Sequence, residues 1–65
     1  MKIIVNGKAH DVAAGRLPDL LQELDLPADH VATALNGRFV PKAERAATAL
    51  TDGDRVEVLS PMQGG

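Results

Sequence analysis

The sequence predicts a small α+β domain, with one mixed β-sheet and a single main helix packed across one face. Three observations carry that expectation. Short β-branched segments lie near both ends of the chain, Ile3-Ile4-Val5 and Val56-Glu57-Val58. Two Asn-Gly pairs, Asn6-Gly7 and Asn36-Gly37, each sit between such segments. Asn-Gly is the strongest short hairpin signal, because both central positions of a type I′ turn take positive φ. Between the pairs, Leu17, Leu20, Leu21 and Leu24 recur at i, i+3, i+4 and i+7, the apolar stripe of an amphipathic helix.

The first strand runs from Met1 to Asn6. The two-residue period puts Met1, Ile3 and Val5 on the core face and leaves Ile4 on the other. Lys8 to Val12 returns as its partner. The helix follows Ala13-Ala14-Gly15. Pro18 suits its first turn, where a missing N–H is harmless, and Asp19 complements the positive helix end. Asp25-Leu26-Pro27 marks the stop, because proline biases the preceding residue out of the helical region. About two turns of helix need docking on a sheet to persist.

Val31 to Leu35 reads as a third strand, with Val31, Thr33 and Leu35 on one side. After Asn36-Gly37 comes Arg38-Phe39-Val40, ended by Pro41, which suggests a sheet edge. Lys42 to Ala47 is ambiguous and could form a helical turn. Thr51-Asp52-Gly53-Asp54 turns into the last strand, Arg55 to Leu59, with Val56 and Val58 on one face and Arg55, Glu57 and Leu59 on the other. The N-terminal and C-terminal strands are the expected central neighbours. That is the β-grasp, or ubiquitin-like, arrangement, with a different α+β sandwich as the rival. Residues 1–60 form the domain, and 61–65 are expected to be a flexible tail.

Sixty-five residues make one small domain with a thin core, since a chain this size buries only about 60% of its unfolded surface. No cysteine is present to supply a disulfide or a thiolate metal site, and Phe39 is the only aromatic, so the core must be aliphatic. A net charge of −2 argues against a phosphate-backbone partner, and a single aromatic argues against stacking on single-stranded nucleic acid. No apolar run approaches the roughly 20 residues of a membrane span. The expectation is a cytoplasmic protein that binds neither nucleic acid nor membrane. His10 and His30 are well separated and make no recognisable ligand spacing, so no metal site is expected. Glu23, Asp25 and Asp29 read as solvated positions around a helix end, and Asp52, Asp54, Arg55 and Glu57 as solvated charges. No general acid or base is assigned.

The most informative feature is the ending, Ser60-Pro61-Met62-Gln63-Gly64-Gly65. Glycine lacks Cβ, so Gly64 and Gly65 make the thinnest segment a polypeptide can form. Such a segment can enter a narrow slot and present the Gly65 carboxylate, with Met62 and Gln63 along the slot. Pro61 supplies no N–H to extend a sheet. A frayed terminus is the plain alternative. Leu59 and Ile4, on the outer face of the two central strands, are either isolated exposed apolar residues or the seed of a docking patch for a partner.

With these pieces placed, the chain resembles the ThiS group of ubiquitin-like sulfur carriers in thiamine biosynthesis. The resemblance rests on the first strand into Asn6-Gly7, on Leu17-Pro18-Asp19-Leu20-Leu21, and on Val31 through Gly37 followed by Val40-Pro41-Lys42. It rests most of all on Leu50 through Leu59, leading to the terminal diglycine. Two departures, Lys42 where arginine is common and no aromatic near Arg45, lie outside the tail. The resemblance implies that an E1-like adenylyltransferase uses ATP and magnesium to turn the Gly65 carboxylate into an acyl-adenylate. A persulfide, ultimately supplied by a cysteine desulfurase, then delivers sulfur. The resulting thiocarboxylate passes its sulfur to thiazole synthase. The chain itself would be a carrier and not an enzyme, binding no cofactor; it has no Gly-rich phosphate loop to perform the adenylation. The alternatives are the small subunit of molybdopterin synthase, a ubiquitin-like protein modifier, or a noncovalent module with an idle tail.

Overall fold

A computed structural model describes residues 1–60. The elements in order are β1 (Lys2–Val5), β2 (Lys8–Asp11), helix α1 (Leu17–Glu23), a 3₁₀ turn (Ala28–His30), β3 (Ala32–Leu35), β4 (Arg38–Val40), a second 3₁₀ segment (Lys42–Ala47) and β5 (Arg55–Leu59). The sheet order is β2-β1-β5-β3-β4. β1 and β5 are parallel central neighbours, and the other pairs are antiparallel. The β-grasp expectation therefore holds, including β4 with its Pro41 at an edge.

Both hairpins turn as the Asn-Gly pairs predict. Asn6 and Gly7 have φ of 50° and 82°, and Asn36 and Gly37 have φ of 51° and 84°. These are left-handed conformations that asparagine tolerates and glycine adopts at no steric cost.

The core is wholly aliphatic. Ile3, Leu17, Leu20, Leu21 and Val56 are essentially sealed, and Val5, Val12, Ala14, Val40, Leu50 and Val58 surround them. Phe39 stands 69% exposed on β4. Met1 departs from its expected core place and is also exposed. Its backbone is bonded to Val12, with the Met1 amino group donating to the Val12 carbonyl and the Val12 N–H to the Met1 carbonyl, both at 2.8 Å, but its side chain lies at the rim of the core.

The helix stop also differs from the reading based on Pro27. Helix α1 ends at Glu23, and Asp25 takes a left-handed φ of 57°. The Asp25 N–H donates to the Gln22 carbonyl at 3.0 Å and the Leu26 N–H to the Leu21 carbonyl at 2.8 Å. This pair of bonds is the Schellman pattern, and it satisfies carbonyls that the helix leaves open. Leu26 packs against the core as part of the same closure. Proline two residues on reinforces a stop that has already occurred. Among the described residues no helix is long and apolar enough to cross a membrane.

Among the described residues Arg45 is the one charged side chain in the buried set, only 5% exposed. Its Nε donates to Thr33 Oγ1 at 3.1 Å, Nη1 to the Ala28 carbonyl at 2.8 Å and Nη2 to the Val31 carbonyl at 2.6 Å. Thr33 Oγ1 in turn donates to the Val40 carbonyl at 2.9 Å. One rigid guanidinium thus joins the first 3₁₀ turn, β3 and the second 3₁₀ segment through neutral acceptors. A planar fork suits this arrangement and an ammonium does not. Arg45→Ala is expected to destabilise the domain by at least about 2 kcal/mol, because buried acceptors lose their donors. Arg45→Lys should recover less than half of that, as read from urea unfolding followed by circular dichroism.

Candidate functional site

β5 determines which groups stand near the end of the domain. Alternation turns Val56 and Val58 into the core and Arg55, Glu57 and Leu59 outward. Its register places Ile4 beside Arg55, Glu57 opposite Ala34, and Leu59 opposite Ala32. Phe39 lies across from Ala34 on β4, so it shares the outer face. An open depression on this face takes in Ile4, Arg55, Glu57 and Leu59. Leu59 is 65% exposed, and Ile4 is half-buried.

Ile4 and Leu59 therefore share a face, as expected, but they do not form an adjacent pair at the root of the tail. In parallel register Ile4 is level with Arg55, four residues before Leu59. At about 3.3 Å per residue that is roughly 13 Å along the strand. Leu59 alone stands beside the exit. Met62, Gln63, Gly64 and Gly65 lie outside the described residues.

The two hairpin asparagines brace β5 from opposite sides, a role the sequence reading did not assign. Asn6 Nδ2 donates to the Val58 carbonyl at 3.1 Å, and the Val58 N–H donates to Asn6 Oδ1 at 2.8 Å. At the other end of the strand the Arg55 N–H donates to Asn36 Oδ1 at 3.0 Å. Asn36 Nδ2 donates to Asp54 Oδ1 at 3.1 Å. The only hint in the sequence is asparagine, rather than aspartate or glycine, at the first position of both turns.

Several residues read as solvated charges have structural partners instead. Asp54 Oδ2 accepts the Thr51 N–H at 2.8 Å, and Asp54 Oδ1 accepts the Thr51 hydroxyl at 3.0 Å. Asp52 Oδ1 accepts the Lys2 N–H at 2.6 Å. These bonds close the turn that launches β5 and tie it to β1. Glu23 reaches back from α1 to accept the N–H groups of Ala13 and Ala14, at 3.0–3.1 Å. Asp29 pairs with Lys42, whose hydrogen bond and charge hold its carboxyl below the usual range. Glu23 and Asp29 are thus separate local braces and not one cluster. His10 is half-buried and His30 exposed. No group of three or more His, Cys, Asp or Glu among the described residues could hold a metal.

Known proteins share this architecture. The ThiS family model matches residues 3–65. The chain belongs to the ThiS family. It is 33% identical over 66 residues to the sulfur carrier protein ThiS of Escherichia coli, covering all of both chains. It is 35% identical over 66 residues to a thiazole synthase of Paramagnetospirillum magneticum, of which it spans 20% of the length. The crystal structure of the ThiS thiamine biosynthesis protein from Geobacter metallireducens superposes with a TM-score of 0.85 at 36% identity, covering all of both chains. As a ThiS-family member the chain is a sulfur carrier of thiamine biosynthesis and not an enzyme.

Hydrogen bonding at Asp54 has a consequence for acid stability. The Thr51 N–H is the largest cause holding this carboxyl below its ordinary value, with the Asn36 amide and Thr51 hydroxyl adding to it and partial burial opposing. A depressed folded-state pKa favours the fold while the group is charged. Its contribution is complete above the ordinary carboxylate value, near pH 4, and fades as pH falls toward the lower folded value. Asp54→Asn is expected to melt below wild type at neutral pH. The two melting temperatures should converge as the pH is lowered below about 4, which a series of thermal melts would show.

Proposed function

We propose that the Gly65 carboxyl group is the point of sulfur attachment, carried by residues 61–65 from a domain formed by residues 1–60. The observation that supports this reading best is the extent of the family likeness. The family match runs to residue 65, and the alignment with a sulfur carrier leaves no part of either chain uncovered.

A carboxylate is a poor electrophile because its charge is shared by two oxygens. In the proposed sequence an E1-like adenylyltransferase, using ATP and magnesium, lets one Gly65 oxygen attack the α-phosphorus. Pyrophosphate leaves, and the carboxylate becomes an acyl-adenylate. The terminal sulfur of a persulfide, loaded by a cysteine desulfurase, attacks the acyl carbon and AMP leaves. A second thiol cleaves the acyl disulfide, forming a protein disulfide and releasing the thiocarboxylate. The net change at Gly65 is one oxygen replaced by one sulfur. Thiazole synthase then accepts the sulfur. A relative bearing that name contains a segment like this chain, which favours it as the receiving partner.

Gly64 and Gly65 suit this task because a Cβ on either would widen the segment that enters each partner's slot. Met62 and Gln63 line the insertion. Leu59, exposed one residue before Ser60, is the docking residue that the geometry favours, with Ile4 contributing farther along the same face.

Incubation with an adenylyltransferase of this class, ATP, magnesium and a persulfide source should raise the intact mass by one oxygen-for-sulfur exchange, mapped to the last peptide. Gly64→Val should lower loading by on the order of a hundredfold through misplacement of the acyl carbon, with an unchanged circular dichroism spectrum. Normal turnover by that variant would defeat the thin-segment argument, and a mass shift elsewhere in the chain would defeat Gly65 as the site.

A further inference from the structure

We propose that Asn6 is a positioning residue for sulfur loading: its side-chain amide stands in for the missing end of β1 and clamps β5 at the root of the tail. This inference rests on the reading of Gly65 as the loaded group.

β1 and β5 run in parallel, but β1 stops first. The last paired residues are Val5 and Val56, and the Asn6 N–H closes the ladder on the Val56 carbonyl at 2.9 Å. The chain then turns away through Asn6-Gly7, while β5 continues to Leu59. Alternation points the N–H and carbonyl of Val58 toward the side β1 has vacated, as it does those of Val56. Among the described residues no β1 backbone remains there to meet them, and Val58 is 8% exposed. A carboxamide presents an acceptor and a donor in one plane, the same pair of groups that a peptide unit would offer. Asn6 supplies both, at 2.8 and 3.1 Å. The opposite edge of the same stretch is held by β3, where Ala32 faces Leu59 and Thr33 faces Val58. The last residues before Ser60 are therefore gripped on one side by a strand and on the other by a single side chain.

The clamp determines how far the paired part of β5 extends toward Ser60. If β5 opened back to Glu57, Val58, Leu59 and Ser60 would join the stalk and add up to about 10 Å of reach. Leu59 would lose its place beside the exit. The acyl group would sample a larger volume, and docking would have to restore the lost order. That cost falls on association, because the docked state is unchanged. KM should carry the effect and kcat should not.

Asn6→Gly removes the amide yet keeps a residue suited to positive φ. Asn6→Asp keeps the acceptor and loses the donor. Asn36→Gly is the control, since it deletes the matching amide at the far end of β5, where Arg55 begins the strand. Amide hydrogen exchange by NMR and steady-state adenylation with the wild-type chain as reference would be measured on all three variants. Asn6→Gly is expected to speed exchange at Val58 by about tenfold or more while Val56 stays protected. It should raise KM roughly fivefold with kcat within about twofold. Asn6→Asp should fall between it and wild type, and Asn36→Gly should leave KM unchanged. The proposal is overturned if Val58 stays protected in Asn6→Gly, if KM does not move, or if Asn36→Gly raises KM equally. Failure of the wild-type chain to take up sulfur would instead reject the reading of Gly65, and exchange at Val58 would then decide the clamp alone.

Discussion

Among the described strands β5 alone pairs with both hairpins, so the two ladders on its flanks determine where everything else in the domain stands. On one side Ile4 and Val5 run parallel to Arg55 and Val56. On the other, Ala32 through Leu35 run antiparallel to Leu59 through Val56. Shift either register by one residue and Val56 and Val58 would leave the core for solvent. The Asp54 turn aligns the start of this strand, and the two asparagine amides brace it near each end. Ser60 thus follows a strand held on both flanks.

Such a protein has little need of a pocket. On the proposed reading of Gly65 as the loaded group, the chemistry would take place at a main-chain acyl carbon held by other proteins, and the domain would serve to present that carbon. On the proposed docking role the outer sheet face would offer exposed Leu59 and Phe39, with Glu57 level with Phe39 across Ala34 and Arg55 two residues farther along β5.

Stability in so thin a core comes from economy. The aliphatic interior leaves the lone aromatic to the surface, and short polar side chains replace longer secondary structure. Glu23 ties the loop before α1 to the helix, Asp25 with Leu26 closes the helix, and Arg45 gathers the irregular segments beside β3. Glu23 and Arg45 each put one side chain in place of a stretch of backbone pairing, whereas the helix is closed by two backbone bonds.

Local chemistry made much of the fold legible. Asn-Gly strongly favours a left-handed turn, the leucine spacing makes only one helical face apolar, and strand alternation puts Val56 and Val58 on the face opposite Leu59. The terminal diglycine and the segment before it pointed to the carrier family for the same reason, since those residue types are informative by themselves. What the sequence could not disclose depends on partners far away along the chain. Asn6 meets Val58 across 52 positions, Lys2 meets Asp52 across 50, and Arg45 meets Ala28 across 17. A hydrogen bond needs both groups within about 3 Å, and only the folded sheet brings them there. The separation of Ile4 from Leu59 is of the same kind: alternation put both on one face, but the parallel register, a property of two strands at once, placed them apart.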